Sequence, residues 1–99
     1  SILEKRPDYN TALCLTQLGY HKEASALLDQ LPVDSRKEYL HAVVSARQGD
    51  DYLAVEHMLA ACRMNPNLVL RIPLDPELSD LIPKFFGLRM DVDRIAEGK

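Results

Sequence analysis

A spaced pattern of residues occurs twice in this chain, thirty positions apart. Tyr9, Ala12, Gly19, Ala24 and Leu28 return as Tyr39, Ala42, Gly49, Ala54 and Met58. A pattern shared by two stretches implies one local structure used twice, each copy needing the other to bury its apolar face. Each copy reads as helix, tight turn, helix. In the first, Pro7 suits the opening turn of a helix, where a missing N–H costs nothing. Ala12, Leu15 and Leu18 then make an apolar stripe before Gly19 ends the helix. A second helix begins near His21, carries Ala24, Leu27, Leu28 and Leu31, and stops at Pro32.

The second copy has cleaner signals. Ser35 and Glu38 are spaced as a capping box, in which each side chain satisfies an orphan backbone donor of the first turn. Helix follows through Tyr39, Ala42, Val43 and Ala46 to Gly49, a left-handed stop. Asp50 can cap the next helix, and Asn65-Pro66 closes it. On that helix Ala54, Met58 and Ala61 form one apolar row, with Val55, Leu59 and Cys62 in another beside it. Glu56, Ala60 and Arg63 are left as the solvent edge. A helix apolar over so much of its circumference has to be covered on more than one side.

The expected cover is the C-terminal third. Leu68, Val69, Leu70, Ile72 and Leu74 supply apolar surface. Asp75-Pro76-Glu77 then predicts a helix start: a capping Asp, a first-turn Pro, and an acid favoured by the helix dipole. Leu78, Leu81, Ile82, Phe85 and Phe86 continue that surface, interrupted by Pro83. The remainder is weakly specified, either a short helix from Asp91 or a frayed tail.

Composition narrows the function. Of 99 residues, 46% are hydrophobic and 27% charged, with no Trp, so the core must rest on Leu, Ala, Val and Met. Such residues favour helices over sheets. The net charge of −3, with no run of Lys or Arg, argues against a nucleic-acid partner. No stretch approaches the roughly 18 apolar residues of a membrane span, so no membrane insertion is expected. The opening residues do not read as a signal peptide. Cys14 and Cys62 lie in apolar helical stretches outside any metal-ligand spacing. Each is expected to be a small core residue, the alternative being a disulfide or a reactive thiol.

Residues Ser35 to Pro66 resemble one unit of the tetratricopeptide repeat family. Gln48-Gly49-Asp50 is similar to the turn between its helices. Ala54, Met58, Ala61 and Pro66 stand at the spacing of its second-helix small, bulky, small and proline positions. Asp8 to Pro32 resembles a degenerate copy, with Pro32 eight residues after Ala24 where Pro66 follows Ala54 by twelve. Counted back from the turn glycines, the family's opening aromatic falls on Asp8 and Glu38, and the leucine that should follow is replaced by Thr11 and His41. The resemblance implies an all-α fold of antiparallel helix–turn–helix repeats, about two of them, stacked as a short right-handed solenoid with a C-terminal capping helix. On this reading residues 1–99 are one domain: a degenerate repeat at 8–32, the better repeat at 35–66, a capping segment at 68–86 and a tail at 87–99. Two repeats are few for a solenoid, and the chain does not begin with Met, so it is expected to be a piece of a longer array.

In that family ligands lie in the concave groove lined by the first helix of each repeat. The implied site is Tyr9, Leu13 and Gln17 on the first such helix, with Tyr39, Val43 and Arg47 on its counterpart and Arg36 one turn earlier. Their i, i+4, i+8 spacing puts each row along one side of a helix. Tyr and Arg are the side chains of binding hot spots. Each tyrosine either lines the groove or packs between helices. The expected function is a protein–protein interaction scaffold that binds a peptide or protein segment, with an acidic or C-terminal carboxylate ligand favoured. Tyr9 and Leu13 occupy places where the chaperone-tail carboxylate clamp would need basic or Asn residues. The alternative is a structural cap or stalk of a longer array whose groove lies upstream.

Chemistry of other kinds has little support in the spacing. His21 lies at a turn. His41 and His57 are sixteen residues apart on different helices, with no H-x-x-x-H pair and no nearby Cys. The carboxylates cluster at helix starts, where capping accounts for them. There is no glycine-rich phosphate loop, no G-x-S-x-G and no metal motif. No enzyme activity, cofactor or metal is expected. A site among His41, His57 and Arg63 would require those side chains to converge.

Overall fold

The computed structural model describes residues 8–84, 94, 95 and 97. Its helices are α1 (Tyr9–Gln17), α2 (His21–Leu28), α3 (Ser35–Arg47), α4 (Asp51–Met64), α5 (Leu68–Arg71) and α6 (Leu81–Lys84), with a 3₁₀ turn at Ile72–Leu74 after α5. Arg94, Ile95 and Glu97 also carry helical backbone. Among the described residues there is no strand, and no helix is long and apolar enough to cross a membrane. Phe85, Phe86 and the helix start expected at Asp91 lie outside the described residues.

Three helices begin alike. The carboxylates of Asp8, Asp34 and Asp50 accept the backbone N–H of Thr11, Lys37 and Leu53 at 2.7, 2.8 and 3.1 Å. The cap of α3 is therefore Asp34, not Ser35, and the capping box read at Ser35–Glu38 does not form. The Asp34 carboxylate takes the Lys37 N–H and its carbonyl takes the Glu38 N–H, which leaves the Glu38 carboxylate for another use. Two helices also end alike. Gly19 and Gly49 have φ of 90° and 84°. Beside them the N–H of Tyr20 donates to the Leu15 carbonyl and that of Asp50 to the Ser45 carbonyl, both at 2.9 Å. This pairing closes the last helical turn only when the residue between adopts a left-handed backbone.

The helices pair as two hairpins, α1 with α2 and α3 with α4, with α3 against both helices of the first. Ala12, Ala24, Ala42, Ala54 and Ala61 are all fully buried, as helices in close approach require. Leu28, Met58, Val44 and Cys62 fill the space between. Both expected rows of α4 are covered, Ala54, Met58 and Ala61 together with Leu59 and Cys62. In α1 the stripe differs from expectation. Thr16 is buried, its hydroxyl donating to the Ala12 carbonyl at 2.8 Å, while Leu18 is exposed just beyond the helix end. Cys14 is likewise exposed, because it faces away from α2 and α3, and the core role expected for it falls to Cys62 alone.

The C-terminal segment covers the second hairpin in smaller pieces than expected. Val69 and Ile72 are buried, whereas Leu70 and Leu74 stand in solvent. Asp75 does cap, accepting the Glu77 N–H at 2.9 Å, yet residues 76–80 form turns and regular helix starts only at Leu81. Pro83 falls in the first turn of α6, where no backbone N–H is required. α2 ends at Leu28, short of the stop expected at Pro32, and Gln30 and Leu31 follow it in tight turns. Leu78, Leu81 and Ile82 are buried in the same core as α3 and α4, and Lys84 pairs with Asp51 at the start of α4.

Candidate functional site

The residues expected to line a groove on α3 are occupied by the chain itself. Tyr39 and Val43 are buried. The Tyr39 hydroxyl donates to the Asp75 carboxylate, and the Arg71 guanidinium lies 5.2 Å from its ring centre. Burial first, and then the Asp75 charge, holds the phenol above its usual pKa, so it remains a donor. Arg47 donates through Nε to Glu77 at 3.0 Å and through Nη1 to the Thr16 carbonyl at 3.0 Å. The preferred ligand read from the sequence was acidic. An acidic segment, Asp75-Pro76-Glu77, does lie against Tyr39 and Arg47, and it belongs to the same chain.

The other end of the row carries a cavity among the described residues. Arg36 stacks over the Tyr9 ring at 4.9 Å. The two line a cavity of about 220 Å³ together with Leu31, Pro32, Asp34 and Lys37. Leu13 is half-buried between the hairpins and Gln17 is exposed. The seven expected residues therefore divide, among the described residues, into a portion around Tyr9 and Arg36 that lines a cavity and an engaged portion around Tyr39, Val43 and Arg47.

A second group of side chains converges where the spacing gave no sign of it. The rings of His41 on α3 and His57 on α4 stack with centroids 4.1 Å apart and planes 12° from parallel. Glu38, one turn before His41, lies 2.6 Å from His57 Nδ1 through Oε2. Ser25 of α2 meets His41 Nε2 at 3.2 Å, and Asp29 lies 3.8 Å from the same nitrogen. One ligating atom from each of Glu38, His41 and His57 falls within 4.8 Å of the others. Arg63, which the sequence reading grouped with these histidines, is exposed on α4. The usable signal was Glu38-x-x-His41, which puts a carboxylate and an imidazole on one helix face. Reading Glu38 as half of a capping box hid it.

His41 has a lowered pKa, chiefly through burial and then through the neighbouring His57, against the opposing pull of Asp29 and Glu38; Lys37 adds to the lowering. Just below the ordinary value of 6.5 the unfolded chain therefore binds more protons at this residue than the folded one. Stability is present above that value and is lost as pH falls toward the folded pKa. Urea midpoints recorded with chelator present are expected to drop as pH falls below about 6.5. His41→Gln should flatten that slope. An equal slope in the variant would assign the effect to other groups.

No family model, curated protein or solved structure matches the chain.

Proposed function

We propose that this chain is a protein–protein interaction scaffold of the tetratricopeptide kind, binding a peptide or protein segment at the Tyr9–Arg36 end of its first-helix row. The observation that carries the reading is the cavity between the start of α1 and the start of α3, where Arg36 lies over Tyr9. An aromatic face and a guanidinium at the mouth of one cavity give area and a polar handle together, which is the composition of binding hot spots. The acidic segment held by Tyr39 and Arg47 supports an acidic ligand chemistry for the rest of the row.

Peptides selected from a displayed library against the whole chain test this. Arg36→Ala combined with Tyr9→Ala is expected to weaken their binding by about 1 kcal/mol or more per residue while leaving the melt unchanged. Affinities equal to those of the parent would move the binding surface elsewhere. The alternative, a structural cap of a longer helical array, draws on the same self-occupied strip: a helix face filled by Asp75 and Glu77 is closed to further repeats. Selection that yields no saturable binder would favour it.

A further inference from the structure

We infer that Glu38, His41 and His57 form a binding site for a divalent ion of the zinc class. Two imidazoles and one carboxylate are a donor set that such ions accept, with a remaining position for water. The three donors come from two helices packed along their length, α3 and α4, so their spacing is set by the core and not by a mobile loop. That arrangement costs little reorganisation of backbone when an ion arrives.

His41 is the observation that points to a ligand. The residue is only 7% exposed, and its Nδ1 is buried without a partner among the described residues. Its other nitrogen faces the Ser25 hydroxyl. With Nε2–H donated to Ser25, Nδ1 holds an in-plane lone pair inside the protein, and a buried acceptor left unpaired is costly. Metal-binding histidines are held in this way, one nitrogen fixed by an outer hydrogen bond and the other free to ligate. His57 Nδ1 and Glu38 Oε2 lie 2.6 Å apart, so an ion held by both would take the place of that contact. Glu38 and Asp29 supply negative charge, while Lys37, the nearby cation, is hydrogen-bonded to the Leu31 carbonyl. The His57 and Glu38 side chains stay 21% and 13% exposed, which gives an ion a way in.

The stack itself defines what binding must change. A ring nitrogen's lone pair lies in the ring plane, so two nearly parallel imidazoles cannot both point at one ion. Ligation turns at least one ring out of the stack and forms two nitrogen–metal bonds and one oxygen–metal bond. Any proton on a ligating nitrogen passes to solvent, and affinity falls in acid.

The test is calorimetric titration of the full chain with zinc chloride, in a Cys14→Ser background so that the exposed thiol cannot compete. Cys62 needs no such change, since burial pushes its thiol up to about 11. One ion per chain is expected, with affinity falling at least about tenfold in His57→Gln and in Glu38→Gln. His21→Gln, at the first residue of α2 and outside the three-donor group, should bind as the parent does. Imidazole resonances of both His41 and His57 should shift on loading. His41→Gln is in the core, so if it fails to fold the two rim variants decide. Absence of saturable binding, or binding that survives both rim substitutions, overturns the site and leaves the stack as core packing.

Discussion

A chain ending at Asn67 is expected to aggregate or to lose its cooperative unfolding transition. The residues it would lack include Val69, Ile72, Leu78, Leu81 and Ile82, each at least about nine-tenths buried. A fully buried aliphatic side chain contributes roughly 1.5–3 kcal/mol, so together these five are comparable with the whole stability of an ordinary domain, roughly 5–15 kcal/mol. Their removal also releases the ties on α3 from Tyr39 to Asp75 and from Arg47 to Glu77. The core surface packed against those five residues would then lack a partner. Size-exclusion chromatography and a thermal melt read by circular dichroism check this directly. A soluble fragment with a sharp melt would mean that α3 and α4 sustain their core without the C-terminal segment.

What the sequence conveyed was the local part of this structure. Helix starts at Asp50, helix stops at Gly19 and Gly49, and buried alanines at matched places depend on residues within a few positions of each other. Capping and left-handed turns are local physics: the stops at Gly19 and Gly49 and the cap at Asp50 appear where the pattern put them, while Asp34 caps α3 in place of Ser35. The errors have a common origin in tertiary contact. Cys14 and Leu18 fit an apolar stripe, yet burial depends on which side of α1 faces α2 and α3. Tyr39 and Val43 were spaced to line a surface, and they do line one, but Asp75 and its neighbours fold back onto it. In place of the helix expected from Asp75, residues 76–80 form turns, with Asp75 and Glu77 held by Tyr39 and Arg47 of α3.

The histidine cluster shows the same limit of local reading from the other side. Glu38 and His41 stand where the resemblance to tetratricopeptide repeats implies an aromatic and a leucine. Those two departures are the residues that meet His57. Places where local rules fail are where functional or strained groups are expected. The meeting itself needs the register of α3 against α4, which no spacing within one helix reports. At the corresponding places of the first hairpin, Asp8 caps α1 through the Thr11 backbone, so that departure is satisfied locally and gathers no cluster.

That register can be tested at its tightest point. Ala54→Leu is expected to destabilise the protein by about 1–3 kcal/mol. Ala54 has no exposed surface, and it lies one turn ahead of Met58, which is buried to the same degree. A leucine there adds three carbons where the facing helix leaves no room, so the pair must either separate or adopt poor rotamers. Separation would cost contacts along the interface between α3 and α4, including the approach that stacks His57 on His41. The variant should therefore melt lower and also lose metal affinity, although no ligand is altered. Tyr52→Leu, a substitution of similar character on the same helix at an exposed position, should leave the melt within about 0.5 kcal/mol of the parent. If Ala54→Leu leaves the melt unchanged, the small-residue position assigned to Ala54 is not a close crossing, and the alignment of the two hairpins as repeats of one unit fails with it.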